Sequence, residues 1–230
     1  MSRKNNKLKT IVAIISIVLL ITILVSSFLY IKSYYQRKSF LANLKGEIVF
    51  TQRDLGIINI YKISANGEKK QMLYHNEDPI NSNSGGARWY KDESKIYFGA
   101  RENGKMASFL MDSNGNNLTH ISDDEWKLLY ADWRLNKCPI CTENKNRDLY
   151  IREGSLYRLD ESGEEIIIYN FKNYDSKFNL GVLSPSWSPD KEFIIFQLSK
   201  IFARSNILIS NKDGTKVVKL TKGGDPDWRK

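Results

Sequence analysis

The strongest constraint on this chain is a four-fold internal repeat, because self-similarity at a fixed period dictates an array of like units. Polar tips flanked by apolar runs recur as SANGE at 64–68, SNGN at 113–116, ESGE at 161–164 and KDGT at 212–215. Their glycines, Gly67, Gly115, Gly163 and Gly214, are spaced 48, 48 and 51 apart. Asn-Gly and Asp-Gly suit tight hairpins, whose central positions need positive φ. A second marker runs in phase: Trp89, Trp133, Trp187 and Trp228 close the triplets ARW, ADW, PSW and PDW, at spacings of 44, 54 and 41.

Around these markers each unit reads as four strands. The fourth has PSWS, then 193–197, 206–210 and 216–221; the second has ARWY, then 95–100, 107–112 and 117–122. The third has ADW, then 148–152, 155–160 and 165–169. The first has 47–51, 58–63 and 69–74 but no Trp strand ahead of it, and DPDW at 225–228 supplies one from the far end. A ring closed by its last strand removes the exposed edge. If DPDW pairs with another chain instead, residues 225–230 set the oligomeric state. The second and third strands of the units are near-continuous apolar runs (IVF, IYF, FIIF, ILI), as in sheets buried on both faces. The expectation for residues 47–230 is an all-β, small β-propeller of about four four-stranded blades.

The stretch PSWSPDKEFIIF with NILISNKDGTKVVKLT resembles the TolB-type, WD40-like propeller repeat, from Pro185 to Thr221. ARWYKDESKIYF with NGNNLTHIS is a fainter copy, and the resemblance extends over about four-fifths of the chain. Lys191 stands where the family motif has Gly, and only the fourth unit keeps Ser188-Pro189-Asp190. TolB itself has six blades and a further domain, for which this chain lacks room. The resemblance therefore implies a fold, while members serve as binding platforms, peptidase gates or lyases.

Ahead of the repeats, a basic tail (residues 1–9) leads into 22 uncharged residues, 10–31, seventeen of them apolar. As a helix they reach about 33 Å, against a hydrocarbon core of about 30 Å. The run exceeds a signal-peptide core and lacks a small-x-small exit, so an uncleaved anchor is expected, with the lipid bilayer as its partner. Residues 32–46 read as a stalk. The chain has 230 residues and a net charge of +9, which invites a nucleic-acid reading. Seven bases (Arg3, Lys4, Lys7, Lys9, Lys32, Arg37 and Lys38) lie in residues 1–40 with no acid, leaving 28 basic against 26 acidic beyond. The surplus brackets the helix, so no nucleic-acid partner is expected. The slightly more basic N-terminal flank favours a cytoplasmic tail and an extracytoplasmic domain.

Candidate sites are few. Cys138 and Cys141, in CPIC, are open to a local disulfide, half a metal site or a redox pair. His75 and His120 fall on outer strands. GxSxG, a P-loop, GxGxxG and HExxH are all missing, so no catalytic, cofactor or metal residue is assigned. The long connections 75–86, 123–130 and 170–185 should share one face, carrying Glu77, Asp78, Asp123, Asp124, Trp126, Tyr130, Phe171, Tyr174 and Phe178. Aromatics with mixed charge on loops suit a partner surface for a protein or envelope component; the same aromatics can instead plug a channel. The expected function is non-enzymatic binding, with a polysaccharide lyase or a cytoplasm-facing sensor as alternatives.

Overall fold

A computed structural model describes residues 2–77, 85–90, 92–136, 140, 148–171, 179–200 and 205–230. Two compact units, Met1–Asn43 and Leu44–Lys230, make up the chain. The first is helix α1, Ser2–Ala42, which has no Pro or Gly to stop it. The segment read as a stalk is thus helical as far as Ala42. Within α1, Ile14–Ala42 has a mean hydropathy of 2.7 in its most apolar window, none of which is buried. Its length and composition suffice to cross a membrane; a signal sequence shares both properties.

The second unit holds four antiparallel sheets. In sheet 1, β1 (Glu47–Asp54), β2 (Ile57–Ser64) and β3 (Gln71–Tyr74) are joined by β15 (Gly224–Arg229), in the order β15-β1-β2-β3. The C-terminal strand therefore completes the first sheet within the same chain, Trp228 lying opposite Ile48. Sheet 2 runs β4 (Gly85–Trp89), β5 (Lys95–Glu102), β6 (Lys105–Asp112), β7 (Thr119–Ile121). Sheet 4 runs β11 (Asn179–Trp187), β12 (Phe193–Lys200), β13 (Asn206–Asn211), β14 (Val217–Lys222). Their tryptophans hold the same register, Trp89 opposite Ile96 and Trp187 opposite Ile194.

Sheet 3 departs from this plan. It contains β8 (Leu149–Arg152), β9 (Ser155–Leu159) and β10 (Glu165–Tyr169), three strands among the described residues. The expected strand ADW, and the expected loop 123–130, both belong to helix α2, Asp123–Asn136. The local chemistry explains the correction. Ser122 caps the helix, Glu125 N–H donating to Ser122 Oγ at 3.1 Å. Three acids occupy the first turn and Arg134 the last, matching the helix dipole. No β-branched residue or proline lies in DDEWKLLYADWRLN. The connection 170–185 is also shorter than expected, since β11 already begins at Asn179.

The glycine tips close alike, with Gly67, Gly115, Gly163 and Gly214 N–H donating to the carbonyls of Ser64, Asp112, Asp160 and Asn211. Sheet 1 packs against sheets 2 and 4, and sheet 3 against sheet 4. One core gathers Val49, Ile60, Trp89, Phe98 and Phe109 between sheets 1 and 2. Another gathers Leu149, Leu156, Ile168, Ile194 and Phe196 between sheets 3 and 4. Mid-strand residues are buried on both faces, as Ile96–Ala100 of β5 and Ile207–Ser210 of β13 show.

Candidate functional site

Helix α2 carries four of the residues expected at the partner surface, Asp123, Asp124, Trp126 and Tyr130. Its spacing sets Trp126, Tyr130 and Trp133 on one side, i, i+4 and i+7. The rings stack in a ladder, 6.3 Å from Trp126 to Tyr130 and 5.9 Å from Tyr130 to Trp133. The ladder is pinned to sheet 2. Trp126 meets Tyr97 edge-on at 5.5 Å, and the Arg88 guanidinium lies 4.6 Å from the Trp133 ring centre. Leu129 is buried, whereas Leu128 is 72% and Tyr130 43% exposed. Lys127 pairs with Asp124 at 3.1 Å in water, a contact of little energetic weight.

The other expected residues are scattered. Glu77 is exposed just beyond β3. Phe171 sits at the boundary of sheets 3 and 4, its ring against Gly154 and its N–H donating to Ser155 Oγ. Asp78, Tyr174, Phe178, Cys138 and Cys141 lie outside the described residues. The histidines sit beside sheet edges. His120 pairs with Glu102 at 3.3 Å on sheet 2, and His75 shares a hydrogen bond with Asn59. Among the described residues no three His, Cys, Asp or Glu side chains converge as metal ligands would.

A second polar group forms where the inner strands β4, β11 and β15 approach one another. Arg88, Ser186 and Asp227 each precede a register tryptophan. Asp227, 5% exposed, accepts from Trp89 N–H at 2.9 Å, while Ser184 Oγ donates to Asp225 at 2.6 Å. Arg88, 7% exposed, donates to the Asp225 carbonyl at 3.1 Å. Register shifts between Gly85 and Arg88 and between Leu183 and Ser186 interrupt the inner ladders of sheets 2 and 4 just before these residues. Burial pushes the Tyr97 phenol well above its ordinary range, and the Asp227 carboxylate adds to the shift. Sequence reasoning passed over this group, although the signal was present: ARW, PSW and PDW all place a polar residue before the tryptophan.

A cleft of about 690 Å³ also opens between sheets 3 and 4, lined by Asp148, Arg158, Trp187, Lys191 and Lys212 among others. Several of its polar groups engage each other. Trp187 Nε1 donates to Asp148 at 2.9 Å, Lys212 pairs with Glu192 at 2.9 Å, and Arg158 donates to the Lys212 carbonyl.

No protein-family model matches the chain, and no curated protein does. Similar solved structures include TolB from Acinetobacter baumannii, at 13% identity over 80% of this chain and 66% of that one, TM-score 0.29. The AtxE2 isopeptidase in its apo form shares 9% identity over 76% of this chain and 31% of that one, TM-score 0.30. An oligogalacturonate lyase in complex with manganese shares 14% over 66% and 40%, TM-score 0.23. This chain thus spans about two thirds of the TolB chain and under a third of the isopeptidase. At such TM-scores the likenesses carry no weight for function, and the all-β architecture stands on its own hydrogen-bonded sheets.

Proposed function

We propose that this protein is a membrane-tethered β-propeller domain that binds a protein or envelope component outside the cytoplasm, by contact rather than catalysis. The observation that carries the reading is the outer side of α2. It presents exposed Leu128 one turn after Asp124 and Glu125, on a helix held from beneath by Leu129 and the Trp126–Tyr97 contact. An apolar spot rimmed by acids is suited to a partner with an apolar anchor and basic neighbours. The four repeats and the strand exchange from β15 to sheet 1 support a propeller. Exposed apolar side chains along α1 support a lipid anchor, and the basic N-terminal flank supports an extracytoplasmic domain. The non-catalytic part rests on the missing nucleophile and metal-site patterns in the sequence.

Site-specific photo-crosslinking in cells tests the surface. A crosslinker replacing Leu128 should give a discrete adduct, and one replacing Leu55, which is 96% exposed on a different turn, should not. Equal labelling at both positions, or none at Leu128, overturns the assignment.

A further inference from the structure

Two tryptophans that hold the same register meet different surroundings. Trp89 is 2% exposed, and the Arg229 guanidinium covers its ring, 3.7 Å from the centre. That guanidinium is held in turn by the Glu47 carboxylate and the Glu93 carbonyl, both accepting its N–H groups. Arg229 reaches the ring from β15, the inner strand of sheet 1, where it directly follows Trp228. Sheet 3 has no such strand among the described residues, because the segment expected to supply it lies in α2. Arg134, which follows Trp133 as Arg229 follows Trp228, belongs to that helix instead and sits 6.0 Å from the Tyr130 ring centre. Trp187 is accordingly only partly buried, lines the cleft of about 690 Å³ between sheets 3 and 4, and has no cation over its ring among the described residues.

The acceptors of the first junction have counterparts in this cleft. Lys191 stands four residues after Trp187, as Glu93 stands four after Trp89, and the two share a left-handed backbone, φ +57° and +58°. Their turns close alike, Lys191 N–H donating to Ser188 O and Glu93 N–H to Tyr90 O, so Lys191 presents its carbonyl from the same turn that binds Arg229 through Glu93. Asp148 borders the ring, accepting from Trp187 Nε1 at 2.9 Å, and a carboxylate has room for a second donor. Four acids line the cleft, Asp148, Asp160, Glu161 and Glu192, against three bases, Arg158, Lys191 and Lys212, which favours a cation over an anion. Two of those bases are engaged, Lys212 with Glu192 and Arg158 with the carbonyls of Lys212 and Leu159. A guanidinium stacks flat on an indole and donates in its own plane; an ammonium has the charge without the plane. The cleft is larger than one side chain needs and leaves space for flanking backbone. We infer that the cleft between sheets 3 and 4 binds an arginine side chain within a peptide segment of a partner, its guanidinium stacked on Trp187 and held by Asp148 and the Lys191 carbonyl. This site is separate from the outer side of α2 and stands or falls independently of the partner contact at Leu128.

The test uses the full chain in phosphatidylcholine nanodiscs, labelled with 5-fluorotryptophan so that its five tryptophans report separately. The Trp187 signal is assigned by its loss in Trp187→Phe, and Trp89, whose ring is already covered, serves as the internal reference. The probes are the blocked tripeptide Gly-Arg-Gly, its lysine and citrulline counterparts, and free arginine. The arginine peptide should shift the Trp187 signal saturably without moving that of Trp89, and the lysine and citrulline peptides should bind at least about tenfold more weakly. Asp148→Asn, which keeps an acceptor for Trp187 Nε1 and should retain all five signals, should weaken the arginine peptide at least about tenfold through loss of a charge-assisted hydrogen bond. No saturable shift at Trp187, equal affinity for the lysine or citrulline peptide, unchanged affinity in Asp148→Asn, or tighter binding of free arginine than of the peptide overturns the inference.

Discussion

Three equivalent glycines provide an internal comparison of how the sheets pack. In Gly214→Ala the added Cβ meets Ile167 O at 2.4 Å and Ile168 Cα at 2.8 Å, so the tip of sheet 4 and the edge strand of sheet 3 cannot keep their present spacing. At Gly115 the Cβ meets Leu73 O at 2.8 Å, the same contact between sheets 2 and 1. At Gly163 nothing lies within 4 Å. All three have left-handed φ, +73° at Gly214, +87° at Gly115 and +84° at Gly163, so each alanine pays about 1–2 kcal/mol for conformation alone. Overpacking adds about 1–3 kcal/mol at Gly214, somewhat less at Gly115, and nothing at Gly163. For a domain of this size the gap between Gly214→Ala and Gly163→Ala corresponds to roughly 3–10 °C in Tm. Thermal unfolding of the full chain in detergent, followed by tryptophan fluorescence, measures it. Equal losses at the two positions would refute the packing of sheet 4 on sheet 3 through its hairpin tip.

Two further outcomes follow from the closure of sheet 1. Trp228 is buried opposite Ile48, so Trp228→Ala should cost about 3–5 kcal/mol while leaving the oligomeric state unchanged; a change of oligomer with little loss of stability would show that β15 pairs between chains. Burial pushes the Glu47 carboxyl up, but hydrogen bonds and charge from Arg229 and Lys62 outweigh it and hold the group below its ordinary 4.5. A depressed carboxylate stabilises the fold above that value and loses the contribution as pH falls through the lowered one. The Tm advantage over Glu47→Gln should therefore be full well above 4.5 and shrink as the pH falls below it, and a gap that ignores pH would contradict the clamp.

Much of this architecture was legible in residues. The glycine tips located the hairpins, the in-phase tryptophans located the inner strands, and DPDW announced the closing strand by the missing start of the first unit. Trp133 misled because its register matched the other three. The helix signals around it, the Ser122–Glu125 cap and fourteen residues without a β-branch or proline, were local and outranked the repeat. The polar group at Arg88, Ser186 and Asp227 was hidden for another reason. Its members come together only when three strands far apart in sequence meet, and the register shifts that interrupt the inner ladders there follow from tertiary packing rather than from any residue type. Asp123 and Asp124, expected at a partner surface, also form with Glu125 the favourable acidic first turn of α2.

The central claim is that α1 holds the domain on the outer side of a membrane. Protease added to intact cells bearing an epitope at the C-terminus measures this directly, with permeabilised cells as the reference. The account predicts that the Leu44–Lys230 unit is degraded without permeabilisation while remaining in the membrane fraction beforehand. Full protection in intact cells would place the domain in the cytoplasm, and recovery of the domain in the soluble fraction would mean that α1 is not an anchor.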